Sequence, residues 1–132
     1  MFTPKEVAQR LSGELKLEID KYGNKKWHLN GIFHREGGPA VERYNGEKRW
    51  YLNGELHRED GPAIEYPNGY KVWYRQGDLH REDGPAIEYE DGSKTWYLNN
   101  ELHREDGPAR EYSSGRKEWW LNGEFVKDNL RD

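Results

Sequence analysis

The chain has no cysteine among its 132 residues, so no disulfide holds the fold and no thiolate serves as nucleophile or metal ligand. Apolar residues are scarce, at 33% against a typical share of about 45–50%. Nowhere do they run on for the roughly 18 positions that a membrane span requires. Residues Met1-Phe2-Thr3-Pro4-Lys5-Glu6 lack the apolar run of a secretory leader. These absences lead us to expect no signal peptide, no membrane span and a cytoplasmic location. A surplus of either charge is missing too. The 25 acidic and 21 basic residues, net −4, are mixed along the chain and leave no footprint for a polyanion, so nucleic acid is not an expected partner.

What the chain does have is aromatic side chains in strict order. Nine Tyr, six Trp and three Phe make up 14% of the residues, a content and a regularity foreign to disordered chains. Trp27, Trp50, Trp73, Trp96 and Trp119 stand 23 residues apart without a slip. The octapeptide from Leu56 to Ala63, Leu-His-Arg-Glu-Asp-Gly-Pro-Ala, recurs from Leu79 to Ala86 and from Leu102 to Ala109. A fourth copy, Phe33 to Ala40, carries Phe for Leu and Gly37 for Asp. A fixed period in this range signals a stacked repeat, here one cooperative domain over residues 1–132.

Two kinds of turn divide each unit. Asn53-Gly54, with Asn30-Gly31 and Asn122-Gly123 and the variants Gln76-Gly77 and Asn99-Asn100, favours a two-residue type I′ hairpin. That register pairs Leu52 with Glu55, Tyr51 with Leu56 and Trp50 with His57. Pro67-Asn68-Gly69 and its counterparts suit a three-residue turn ending in a left-handed Gly, pairing Glu65 with Lys71, Ile64 with Val72 and Ala63 with Trp73. Each unit then reads as a three-stranded antiparallel meander. Alternation of side chains puts Ala63, Trp73 and His80 on one face, with Glu65 opposite Lys71. Ile64, Tyr66, Val72, Tyr74 and Leu79 fall on the other, the expected core.

The ends differ from the middle. Residues 2–13 read as a short capping helix, with Thr3 as N-cap, Pro4 at the first turn, Glu6 completing a capping box and Gly13 as the stop. Residues 14–26 form a degenerate half repeat in which Leu15, Leu17 and Ile19 alternate with polar residues. Four 23-residue repeats span 27–116. Residues 117–132 form a C-terminal capping repeat that keeps Asn122-Gly123, replaces His by Val126 and drops the Gly-Pro, as a terminal unit with a polar outer side requires.

A 23-residue unit with Trp, Asn-Gly, a downstream His and a second turn Gly resembles the MORN repeat over roughly residues 15–126. The departure is that Arg58, Glu59 and Asp60 stand between His57 and Gly61-Pro62, where MORN units place Gly directly after His. The resemblance implies an all-β, elongated antiparallel β-repeat, a MORN-like meander or solenoid of stacked hairpins. The His-Arg-Glu-Asp-Gly-Pro-Ala form beside Trp-Tyr-Leu-Asn-Gly also looks like repeats in uncharacterised proteins of phages, large DNA viruses and some bacteria. That likeness implies a binding module on a mobile element, and no catalytic residue.

The chemistry-bearing groups have structural readings beside their functional ones. His34, His57, His80 and His103 are metal-ligand types, but a zinc site needs ligands converging at about 2 Å. Successive His in a three-stranded unit lie roughly 14 Å apart. The expected role is structural, with His stacked on the cross-strand Trp. The Arg58-Glu59-Asp60 run resembles an acid and base pair, yet its repetition speaks for a corner, with Asp60 accepting backbone hydrogens in a turn. The aromatic ladders could stack bases or sugars, but the basic groove such sites use is missing. No catalytic residue, metal or cofactor is therefore expected.

Recognition is expected where repeats differ, because exposed, non-identical positions on a rigid frame are what separates one partner from another. Three columns qualify: Arg49, Val72, Thr95 and Glu118; Leu52, Arg75, Leu98 and Leu121; and Tyr44, Pro67, Glu90 and Ser113. The candidate binding residues are Arg49, Arg75 and Glu90, with Arg58, Glu59, Asp60, Arg81 and Arg104 of the repeated motif as the alternative surface. The expected function is non-enzymatic protein binding, as a phage or mobile-element inhibitor of a host or defence protein. An immunity protein neutralising a toxin and a small-ligand, nucleotide-type sponge are the alternatives.

Overall fold

Each Asn-Gly pair holds left-handed backbone at both inner positions, with φ of 51° at Asn53 and 82° at Gly54, as a type I′ turn requires. Gln76 and Asn100 take the same region at 50° and 68°. The second turn closes on a left-handed Gly69, at 100°. Between these turns the chain alternates tight hairpins over residues 14–130, which the computed structural model of the protein describes. The capping helix expected at residues 2–13 lies outside them.

The strands are all antiparallel and fall into one twelve-stranded sheet and three separate two-stranded hairpins. In the sheet, neighbours follow chain order from Lys16–Ile19 through Ile64–Glu65 and Lys71–Val72 to Glu124–Asp128. The registers expected from the turns are present: Ile64 faces Val72, Glu65 faces Lys71, Tyr51 faces Leu56 and Leu52 faces Glu55. The expected three-stranded unit is not. Each middle repeat gives two strands to the sheet and turns its third and fourth, Tyr74–Arg75 and Asp78–Leu79, out of it as a hairpin.

The break falls at Trp73. Ala63 does not pair with it: the Ala63 N–H donates to the Val72 carbonyl, and the Trp73 N–H donates to the Ala86 carbonyl beyond the hairpin, 2.7 Å away. The chain therefore leaves the sheet after Trp73, and the hairpin folds back over the face carrying Ile64, Val72 and Ile87. There Leu56, Tyr74, Leu79 and Tyr97 pack on these three buried residues. The core is on the face expected from alternation. Hairpins also link to one another, through Arg58 N–H to Tyr74 carbonyl (3.3 Å) and Gly77 N–H to Leu56 carbonyl (2.9 Å).

The end units differ. Glu124–Asp128, which has no His-Arg-Glu-Asp corner, stays in the sheet and pairs along Lys117–Leu121, with a register shift between Trp119 and Trp120; Ile32–Phe33, followed by His34-Arg35-Glu36, also stays in it, paired with Lys25–Leu29. On the outer face an unbroken row of opposite charges crosses the sheet in register: Lys48, Glu65, Lys71, Glu88, Lys94 and Glu111. Such pairs contribute roughly 0.2–1 kcal/mol each, and they consume much of the chain's mixed charge locally.

Candidate functional site

Where the hairpin returns to the sheet, the Arg of each motif lies over the Trp of its own repeat. The guanidinium carbons of Arg35, Arg58, Arg81 and Arg104 are 3.8, 3.9, 3.9 and 4.1 Å from the ring centres of Trp27, Trp50, Trp73 and Trp96. Arg81 also donates to the Pro85 carbonyl (3.0 Å), to Asp83 (2.9 Å) and to Glu88 (3.0 Å). Arg58 and Arg104 repeat these contacts with Pro62, Asp60 and Glu65, and with Pro108, Asp106 and Glu111. The motif's Gly makes room. A Cβ at Gly61, Gly84 or Gly107 would stand 2.7–2.9 Å from the guanidinium carbon.

This arrangement corrects two expectations. The partner of the Trp ring is Arg, not His. Asp60 accepts from the Arg58 side chain at 3.1 Å, and that contact, rather than a backbone turn, orients it. The same contact from Arg81 holds the Asp83 carboxyl below the usual carboxylate range, because an ionised partner favours the ionised form.

His instead couples neighbouring repeats. His34, His57, His80 and His103 each accept, at Nδ1, the first turn N–H of the following hairpin, from Asn53, Gln76, Asn99 and Asn122 at 2.9–3.0 Å. An accepting Nδ1 places the neutral ring's proton on Nε2, which faces Glu59 at 3.5 Å in the second repeat and Glu82 at 3.4 Å in the third. Successive repeats are two sheet strands apart, roughly 9.5 Å, rather than the 14 Å expected of a three-stranded unit. Among the described residues no three His, Asp or Glu side chains are grouped to hold one metal ion.

The corners project along one side of the sheet and leave open clefts between them. One cleft of about 750 Å³ brings together Arg58, Glu59, Asp60, Arg75 and Arg81 with Glu82 and Asp83. The next, about 570 Å³, lies between Arg81 and Arg104 and is lined by Trp96 and Leu98 with four carboxylates, those of Glu82, Asp83, Glu105 and Asp106. Their side chains are 73–88% exposed. Acid therefore outnumbers base along this edge.

Of the candidate residues, Arg58, Glu59, Asp60, Arg75, Arg81 and Arg104 line these two clefts. Glu90 sits apart on an exposed turn. Arg49 is not the free surface group expected of a variable column. Its column is the inner face of the sheet: Val72, Thr95 and Glu118 are 2, 7 and 6% exposed. Arg49 itself is partly buried and donates to the buried Glu47 at 2.6 Å and to the Tyr66 hydroxyl at 3.3 Å. Burial alone would lower its pKa, but those bonds hold it above the ordinary value.

Variation in that column tracks packing, since Val72 meets Ile64 and Ile87 in the middle of the array while the ends pair charges. In the column at the hairpin tips Arg75 and Leu121 are exposed, while Leu52 and Leu98 are half-buried. Sequence reasoning missed the acidic cleft walls Glu82, Asp83, Glu105 and Asp106 as a set, although their 23-residue spacing from Glu59 and Asp60 carried the signal. No known family model, curated protein or solved structure matches the chain.

Proposed function

We propose that this chain is a non-enzymatic repeat scaffold that binds another protein along the row of corner clefts, taking basic side chains of the partner between successive carboxylate pairs. The observation that carries this reading is the pitch and exposure of those carboxylates. Glu59 and Asp60, Glu82 and Asp83, and Glu105 and Asp106 recur on corners roughly 9.5 Å apart, each clamped from behind by an Arg that is itself pinned to Trp. A rigid comb of this kind presents charge without a large ordering cost on association. The groups that catalysis would need are already engaged, His by a neighbour's N–H and Arg by ring, carbonyl and carboxylate. Variation at Leu52, Arg75 and Leu98 within the same row supplies selectivity.

The MORN-like character of the unit supports the same class of function. An inhibitor of a host or defence protein would use such a surface, as the resemblance to phage and viral repeats implies. An immunity protein masking a basic toxin would use it equally.

The test is affinity capture from the native host with the wild-type chain and with the Glu82→Lys, Glu105→Lys double variant. Neither substitution touches an Arg–Trp stack, so melting should change little. The expected result is a partner retained by wild type, lost by the variant, and released by salt, because rim charges act through screened attraction. Retention by the variant, together with loss on Glu90→Lys, would move recognition to the turn tips and refute the proposal.

A further inference from the structure

On the inner face, near the second turns, Tyr66, Tyr89 and Tyr112 recur at the repeat period, and one additional ring, Tyr70, stands between the first two. Tyr66, Tyr70 and Tyr89 stand on successive strands, with ring centres 5.4 and 5.8 Å apart. Tyr66 N–H bonds the Tyr70 carbonyl at 2.9 Å, and one repeat later Tyr89 N–H bonds the Ser93 carbonyl at 2.9 Å. Ser93 thus occupies the place of Tyr70, between Tyr89 and Tyr112. Those two residues are two strands apart, roughly 9.5 Å, against a sum of ring spacings of similar size around Tyr70. The space beside Ser93 is an open groove of about 290 Å³ whose lining includes Tyr89, Asp91, Ser93, Thr95, Arg110 and Tyr112.

The floor of the groove differs as well. Beneath Tyr70 the sheet presents Val72 and Ile87, paired in register and apolar. At the groove the same two columns carry Thr95 and Arg110, also paired in register. Thr95 is 7% exposed, and both its hydroxyl and the Arg110 Nε–H are buried without a hydrogen-bond partner among the described residues. Leaving such a group unsatisfied costs about 1–3 kcal/mol, and both belong to residues that line the slot, so a ligand oxygen that reaches beneath its surface would satisfy two groups at once. Arg110 donates to the hydroxyl of Tyr112, itself a wall of the slot, at 3.4 Å and pairs with Glu118 at 3.8 Å. The rim is ordered as well: Ser93 Oγ accepts from Ser113 N–H at 2.9 Å, and Asp91 accepts from Ser93 N–H at 2.8 Å.

We propose that the slot between Tyr89 and Tyr112 binds a phenol ring, which takes the position that Tyr70 holds one repeat earlier and directs its oxygen to Thr95 and Arg110. The oxygen accepts from the Arg110 Nε–H and exchanges a hydrogen bond with the Thr95 hydroxyl. The ring meets the two tyrosines edge-on and tilted, as Tyr70 meets Tyr66 and Tyr89, arrangements aromatic pairs prefer over face-to-face stacking. The source of the phenol is either a free small molecule or a tyrosine side chain of a partner. The site lies on the face of the sheet opposite the Arg–Trp corners and does not depend on the protein-binding role proposed for them.

The experiment is a titration of the full chain with p-cresol, toluene and N-acetyl-tyrosinamide, followed by amide chemical shifts of Ser93, Thr95 and Arg110. We expect cresol to bind with a Kd on the order of 1 mM, and toluene at least about tenfold more weakly, the equivalent of one hydrogen bond. Binding of N-acetyl-tyrosinamide as tight as cresol assigns the site to a side chain, and its failure while cresol binds assigns it to a free phenol. Ser93→Tyr copies the filled repeat, so the fold tolerates it, and it should abolish binding by closing the slot. Thr95→Val with Arg110→Ile copies the apolar floor and should erase the preference for cresol over toluene. Equal binding of cresol and toluene to the wild-type chain, no shift at these amides, or cresol binding unchanged by Ser93→Tyr would each overturn the proposal.

Discussion

Replacing Gly84 by Ala should destabilise the array, and the structure says through which side chain. Gly84 does not use left-handed backbone, so Ala would normally gain about 0.4–1 kcal/mol by restricting the unfolded chain. Here the new Cβ would stand 2.7 Å from the Arg81 guanidinium carbon and 3.0 Å from its Nε and Nη1, and the guanidinium must move off the Trp73 ring. Displacement forfeits a partly desolvated cation–π stack, about 1–2 kcal/mol. It also forfeits a charge-assisted bond to the Pro85 carbonyl, about 1.5–3 kcal/mol. The half-exposed pairs with Asp83 and Glu88 add at most about 1 kcal/mol each.

Because Arg81 can keep part of this set after moving, the net loss should be about 1–3 kcal/mol for Gly84→Ala and about 2–4 kcal/mol for Arg81→Ala. The decisive measurement is the double-mutant cycle by urea unfolding. In the Arg81→Ala background, Gly84→Ala should become neutral or slightly stabilising. An equal cost in both backgrounds would show that the Gly serves the backbone rather than the guanidinium, and the account of the corner would be wrong.

His57→Phe keeps the ring volume but leaves the Gln76 N–H without its acceptor, and should cost about 1 kcal/mol in urea unfolding, since water reaches that exposed turn. A chelator-induced drop in the melting temperature of the wild-type chain that added zinc restores would replace the structural role with a ligand role. Arg49→Ala strips the buried Glu47 of its 2.6 Å partner and leaves only Arg43 at 3.5 Å. A loss of about 1–3 kcal/mol on thermal melting is expected, and an unchanged melt would return Arg49 to the free surface. The Asp83 carboxyl titrates below its unfolded value because Arg81 bonds it. Its contribution is therefore present above the unfolded pKa of about 4 and is lost as pH falls through the folded one. Asp83→Asn should flatten the acid limb of the stability curve below pH of about 4, and a limb of unchanged slope would count against that bond.

Local rules read well from this sequence because they act within a few residues. The 23-residue period, the type I′ turns at Asn30-Gly31 and Asn53-Gly54, the left-handed Gly69 and the pairing of Ile64 with Val72 all follow from turn chemistry and alternation. The core face follows too, since alternation places Ile64, Val72 and Tyr74 together. What the sequence left open is set between repeats. Trp73 ends its strand because its N–H donates to the Ala86 carbonyl beyond the hairpin, and that choice converts a three-stranded meander into a sheet with hairpins folded over it.

Arg81 and Trp73 meet only once that fold-back has brought the chain round to its own start. His57 finds its acceptor role in a turn 19 residues on. The column of Arg49, Val72, Thr95 and Glu118 looked like a variable surface because its residues differ. Its burial depended on which way the hairpins turned, and no spacing within one unit encodes that direction. The change from Tyr70 to Ser93 was visible as a substitution from the start, but only the stacking of neighbouring strands made it a gap with the width of a ring.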